Sequence, residues 1–246
     1  MFLYIRKMSL SVLPNYILKI IYEDEHILLI NKPAGLVVHP GCGNLNGTLM
    51  DILLHKKKYL SKIPRAGIVH RLDKNTTGLM IIAKNNLTYN KLITLIKDRK
   101  ITRKYDAFVI GHIISGGTVS APITRNTKKR TCMMVNISGK PSVTHYQIVQ
   151  RFNFYTHIHI QLESGRTHQI RVHMLHIKHP ILGDPIYKIS NYFPRNINIK
   201  FLKKINLFSR QALHASHIKF FHPITNILID CYATLPEDMV AIMKYL

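Results

Sequence analysis

The feature that most constrains this chain is a succession of short β-rich runs with few helical segments between them. Runs at 17–22, 27–31, 79–84, 105–111, 143–150, 156–162, 214–220 and 227–233 are β-branched or alternate apolar with polar residues, and Gly, Pro or Asn bounds them. Each predicts a strand. Helical spacing is confined to 48–57, 87–97, 167–177 and 236–245. Leu92, Ile93 and Ile96 fall together in the second of these, and Ile170, Met174 and Ile177 in the third. Pro236 suits the first turn of the last helix. Strand runs with occasional helices predict an α+β fold, a mixed and largely antiparallel sheet flanked by helices. Lys32-Pro33-Ala34-Gly35 must turn, because Pro fixes φ and Gly permits positive φ. No internal repeat or Gly/Ser linker divides the chain. Residues 1–16 are expected to form an N-terminal extension, residues 17–246 one domain, and the Asn- and Lys-rich stretch 190–208 an inserted or mobile loop.

A chain of 246 residues with 46% hydrophobic content can bury a real core. Its formal charge of +23 points to a polyanionic partner, most simply nucleic acid. Ile, Lys and Asn are frequent enough that A/T-rich codon usage contributes to that charge. Cys42, Cys132 and Cys231 lie far apart, without a C-x-x-C pair, which suits a reducing cytosol better than a disulfide framework or zinc ribbon. Arg6 and Lys7 interrupt the apolar start, so no signal peptide is expected. No stretch reaches the roughly 18 uncharged residues of a membrane span. The chain is expected to be cytoplasmic, away from membranes, and a monomer.

Chemistry concentrates in three places. His70-Arg71-Leu72-Asp73-Lys74-Asn75-Thr76-Thr77-Gly78 sets one carboxylate among cations, with no other acid between Asp51 and Asp98. Nearby positive charge favours the ionised carboxylate, which is a usable nucleophile, although Asp before Thr and Gly also fits a plain turn. Glu163-Ser164-Gly165-Arg166-Thr167-His168-Gln169-Ile170-Arg171-Val172-His173-Met174 places a turn before a helix that Thr167 can cap. Arg171 on that helix can grip a carboxylate bidentately, or be one cation of a solvated basic face. In Thr102-Arg103-Lys104-Tyr105, Arg103 and Tyr105 share a strand face, and a Tyr beside cations suits stacking on a base or packing in the core. His173, His176 and His179 prompt a metal hypothesis, but their spacing carries them around the helix and H-E-x-x-H is absent, so no metal is expected. Walker A, G-x-G-x-x-G after a strand, and G-x-S-x-G are also absent.

Taken together, these motifs resemble the pseudouridine synthases of the RluA type. Residues 30–41 (Ile-Asn-Lys-Pro-Ala-Gly-Leu-Val-Val-His-Pro-Gly), 67–73, Lys104-Tyr105, 163–174 and 179–185 match in order, across nearly the whole chain. The resemblance implies a catalytic Asp73 that attacks the target nucleotide as the bond from ribose C1′ to uracil N1 breaks. The base then rejoins through C5, with no cofactor and no metal. It implies that Arg171 pairs with Asp73, and that Tyr105 stacks on the flipped uracil and takes part in proton removal. Arg71 fills the space that the flipped nucleotide leaves, replacing stacking worth a few kcal/mol. Arg166, His168 and Lys32 are expected to contact RNA. The implied substrate is clustered uridines of one hairpin loop in large-subunit ribosomal RNA. Transfer RNA, or RNA binding without catalysis, are the rival expectations. Relatives usually carry an N-terminal S4 RNA-binding domain, which is expected to be missing here. Thr77 stands where Ser is commoner.

Overall fold

The computed structural model describes residues 18–41, 43–189, 205 and 207–243. The expected extension at 1–16 and Cys42 lie outside these residues, as does most of the stretch at 190–208. The strands are β1 (Lys19–Glu23), β2 (Ile27–Lys32), β3 (Thr77–Ala83), β4 (Thr102–Ile110), β5 (Gly117–Ser120), β6 (Ile123–Arg125), β7 (Met133–Val135), β8 (Val143–Arg151), β9 (Tyr155–Leu162), β10 (Leu213–Phe221) and β11 (Leu228–Tyr232). The helices are α1 (Leu49–Lys56), α2 (Asn86–Lys97), α3 (Gln169–His176) and α4 (Glu237–Met243).

The main sheet runs β1-β2-β3-β10-β4-β9-β8-β5, with β11 also paired to β10, while β6 and β7 form a separate ribbon. Every pairing is antiparallel except β3 with β10. The fold is therefore α+β with a mixed, largely antiparallel sheet. Each expected strand and helix corresponds to an observed element, with ends displaced by a few residues. Strands β5, β6 and β7 were not expected, because three or four residues are too few to display a period. Among the described residues no helix is long and apolar enough to cross a membrane.

Alternation along the central strands builds a core on both faces of the sheet. Leu28, Ile30, Met80 and Ile82 join α1 on one face, whereas Ile27, Leu29, Leu79 and Ile81 join Leu92 of α2 on the other. α1 begins at a capping box, with Asp51 N donating to Thr48 Oγ1 and Thr48 N donating to Asp51 Oδ2. The parallel junction of β3 and β10 holds the site loop that precedes it. A Cβ at Gly78, where φ is +117°, would lie 2.3 Å from the Ala215 carbonyl oxygen, so the strands meet this closely only with glycine there. Thr77 Oγ1 and His214 Nδ1 share a hydrogen bond of 2.8 Å across the same junction.

Candidate active site

Residues 70–76 leave the core and return to it at β3, and they are tethered at nearly every step. His70 Nε2 accepts from Ile81 N at 2.9 Å. Thr76 N donates to the Asp73 carbonyl at 3.1 Å, so the turn that the sequence suggested is present. Lys32 Nζ donates to the Lys74 carbonyl (3.0 Å), Arg210 Nη1 to the Asn75 carbonyl (3.3 Å), and Gln211 Nε2 to Thr76 Oγ1 (3.0 Å). The Asp73 side chain is left at the wall of an open cleft of about 850 Å³, 18% exposed.

Lys32 requires a correction. It was expected to contact RNA, but it is fully buried, and its ammonium donates to the carbonyls of Pro33 (2.8 Å), Leu36 (2.9 Å) and Lys74 (3.0 Å). Those three acceptors match the three N–H donors of an ammonium. Burial pulls its pKa down to about 7, and the nearby Asp73 charge opposes that pull. Lys32 staples the Pro33–Leu36 turn to the loop of Asp73 from below and cannot reach a ligand in the cleft.

The opposite wall comes from α3 and the loop before it. Arg171 is 4% exposed and points inward. Its Nη1 donates to Asp73 Oδ2 at 3.0 Å, bringing together the two residues that sequence paired. The bidentate partner, however, is Asp184: Nε donates to Oδ2 at 2.6 Å and Nη2 to Oδ1 at 2.8 Å. Asp184 is itself oriented by the backbone N–H groups of Ile186 and Tyr187, both 2.9 Å from Oδ1. The Tyr187 ring lies under the guanidinium, 4.9 Å from ring centroid to Cζ. Burial opposes the Arg171 charge, but the hydrogen bonds that it donates to Asp184 and the charges of Asp184 and Asp73 outweigh it and raise its pKa. A buried guanidinium locked along one edge therefore presents one N–H to Asp73.

Thr167 does not cap α3. The cap position is His168, held in the left-handed region at φ 56°, without a side-chain cap bond. Gln169 takes over the anchoring: its Oε1 accepts from Ser164 Oγ (2.8 Å) and Arg166 N (3.0 Å), and its Nε2 donates to the Val143 carbonyl (3.0 Å). Left-handed backbone at a non-glycine residue costs on the order of 1–3 kcal/mol and marks positions that the surroundings enforce. Here it aims the His168 ring at the cleft, with Nε2 at 3.9 Å from Asp73 Oδ2 and Nδ1 hydrogen-bonded to the Tyr187 hydroxyl at 2.8 Å. Burial lowers the His168 pKa, against the pull of Asp73.

Tyr105 enters the same cleft from β4, 5% exposed. Burial raises its pKa, the Arg103 charge works against that rise and Asp73 adds to it, so the phenol stays neutral near pH 7. Arg71 and Arg166 line the cleft from exposed positions. With Arg65, Lys97, Arg99 and Arg103 they make a cationic groove that suits a polyanion. Of the expected site residues, the structure gathers Asp73, Tyr105, Arg171, Arg71, Arg166 and His168 in one cleft and leaves Lys32 beneath it.

Asp184 and Tyr187 were missed as site residues. Asp184 could have been found by the reasoning that singled out Asp73, since no other acid lies between Glu163 and Asp230. The histidines of and beside α3 do not converge. His173 bonds to Thr144 Oγ1 (2.8 Å) and the Ala121 carbonyl (2.9 Å), His179 to the Ile110 carbonyl (3.0 Å), and His176 is exposed. A different trio, Asp106, His157 and His159, has ligand atoms within 4.8 Å of one another. Asp106 projects from the face of β4 opposite Tyr105, and the two histidines come from the neighbouring β9. They lie 2.6 and 3.2 Å from Asp106 Oδ1, so the trio is satisfied internally.

Comparison with known proteins gives the chain a family. The model of the RNA pseudouridylate synthase family matches residues 26–176. The chain is 54% identical over 244 residues to ribosomal large subunit pseudouridine synthase D of Buchnera aphidicola subsp. Schizaphis graminum, covering 98% of this chain and 76% of that protein. It is 49% identical over 227 residues to the Escherichia coli K12 protein of the same name, covering 92% and 70%. The solved structure of human RNA pseudouridylate synthase domain containing 4 superimposes with a TM-score of 0.71 at 25% identity, covering 92% of each chain. With the family model matching more than half of the chain and about half of the aligned residues identical in relatives covered to 70% or more, the chain belongs to the RNA pseudouridylate synthase family and is an isomerase.

Proposed function

We propose that this protein isomerises uridine to pseudouridine in large-subunit ribosomal RNA, at clustered uridines of one hairpin loop, with Asp73 as the catalytic carboxylate. The observation that carries this reading is Asp73 at the cleft wall, tied to Arg171 through Oδ2. Oδ1 takes no hydrogen bond from the described residues and is free to meet the sugar. Oδ1 attacks the target nucleotide as the bond from C1′ to N1 breaks, and Arg171 keeps the carboxylate charged and oriented. The uracil reorients and bonds through C5 to C1′, releasing the carboxylate. The C5 proton is then lost and N1 gains one, so no atom is added or removed. The family's reaction needs no cofactor, and none enters this scheme.

Tyr105 stacks on the extruded base, and its neutral phenol suits stacking better than proton removal. Arg71, exposed at the rim, occupies the gap in the RNA, since a base must leave its stack to reach a carboxylate set in the cleft wall. The ribosomal target rests on what the bacterial relatives are named for, and the cationic cleft supports RNA in general. Pseudouridine mapping of total RNA from cells with and without the gene tests it. Sites that vanish from large-subunit ribosomal RNA are the expected result. Loss confined to transfer RNA would move the substrate, and an unchanged map would leave a non-catalytic RNA binder.

A further inference from the structure

Arg103 is the cleft cation whose enclosed nitrogen finds no acceptor among the described residues. It projects from β4 on the same face as Tyr105, two residues away, and lines the cleft. Its Nε is buried, and among the described residues it has no hydrogen-bond partner and no carboxylate pairs with it. Both carboxylates that line the cleft are taken, Asp73 by Arg171 at 3.0 Å and Glu163 by Arg99 at 2.6 Å and His145 at 2.8 Å. Arg171 and Arg210, the other largely buried arginines here, each grip an aspartate along a full edge.

An enclosed N–H of a guanidinium left without an acceptor costs free energy, which an acceptor on a ligand bound in the cleft offsets. The backbone opposite makes room for it. A Cβ at Gly165 would lie 3.3 Å from Arg103 Nη1, while Gly165 itself has no positive φ to explain the glycine. The Arg103 guanidinium lies directly against the Gly165 backbone, where a side chain would crowd it.

We propose that Arg103 binds a non-bridging phosphate oxygen of the nucleotide whose base stacks on Tyr105, and so sets how deep that nucleotide enters the cleft. The proposal rests on the catalytic reading above. A phosphate meets the requirement because it is anionic, accepts two N–H bonds from one guanidinium edge, and is present at every position of an RNA strand. Tyr105 then holds the base face and Arg103 the backbone, two fixed points about which C1′ is presented to Asp73. Arg103 is a phosphate-binding residue here and touches no reacting atom.

The test uses a hairpin RNA containing the mapped uridine, with the phosphate on its 5′ or 3′ side replaced in turn by a neutral methylphosphonate. With wild-type protein, one replacement should raise KM about tenfold or more while kcat changes by less than about threefold. Arg103→Ala on native RNA should show the same split, and the neutral linkage should then cost it less than about twofold further, as required of two partners in one contact. Arg103→Lys should recover part of the loss, and Gly165→Ala, which crowds the guanidinium, should lose an intermediate amount. The RNA-side measurement on wild type stands even if Arg103→Ala does not fold. The inference is overturned if neither neutral linkage weakens wild type, or if Arg103→Ala stays as sensitive to the linkage as wild type. If wild type forms no pseudouridine in native RNA, the catalytic reading fails, and this inference with it.

Discussion

Replacing Asp184 with Asn tests which carboxylate Arg171 depends on. The Asp184 side chain is fully buried, and both its oxygens serve the guanidinium while Oδ1 also receives two backbone N–H groups. An amide in its place turns one acceptor into a donor that faces an N–H of Arg171, and it leaves a 4%-exposed cation without its counter-charge. Breaking a buried ion pair from one side costs about 3–5 kcal/mol. In a domain of this size each kcal/mol moves the melting temperature by about 2–4 °C, so Asp184→Asn should melt about 6–20 °C below wild type. Asp73 is partly exposed and holds one of the five guanidinium donors, so Asp73→Asn should cost no more than about 1–2 kcal/mol. Double-mutant cycles with Arg171→Ala, read by urea unfolding, should therefore give a larger coupling to Asp184 than to Asp73. A melting temperature for Asp184→Asn within about 3 °C of wild type, or equal couplings, would refute the geometry-based reasoning.

Asp73→Asn should lose at least about three orders of magnitude in pseudouridine formation. It should keep RNA affinity or gain some, since a negative charge is removed, and filter binding beside a turnover assay checks both. Lys32→Met leaves the carbonyls of Pro33, Leu36 and Lys74 without their ammonium and should destabilise the fold by about 2–5 kcal/mol, measured by chemical denaturation. Burial, with the Arg103 charge adding to it, lowers the pKa of His70 to about 3, whereas an unfolded His protonates near 6.5. Unfolding therefore takes up a proton between about pH 6.5 and 3, and stability should fall as pH drops through that window, by up to about 1.4 kcal/mol per unit from this residue. Urea titrations across that range should show the slope, and His70→Leu should flatten it. RNA affinity should decline with salt at a log–log slope of about −0.7 per phosphate contacted on a single strand; a flat plot in a salt titration would assign the +23 charge to codon drift.

How much of this was legible in advance depends on whether the deciding interaction is local. Strands such as β2, β4 and β9 were readable because their two-residue alternation lies within six to nine consecutive residues. The turn at Gly35, where φ is +80°, followed from Pro and Gly chemistry. Motif order pointed to Asp73, Tyr105 and Arg171 before any geometry. By contrast, Thr167 satisfied every local rule for a helix cap and was displaced by Gln169. Gln169 reaches residues 25 and 26 positions away on β8, which no local rule registers.

The amino-acid sequence by itself determined the longer secondary elements, the family's motifs and the charge that a polyanion would meet, because each is written in short-range pattern or in composition. Only the tertiary structure decided how the charges were shared. Arg171 lies 98 residues from Asp73 and 13 from Asp184, and folding brings both carboxylates to one guanidinium, with the bidentate edge going to Asp184. Lys32 reads as a surface cation beside a turn until the loop of Lys74, 42 residues on, closes over it. Arg103 reads as one cation among many until its Nε is seen enclosed beside Tyr105 with no acceptor among the described residues, while Arg99 and Arg171 are paired. Burial and pairing arise from which distant segments pack together, and no window of the chain contains that information.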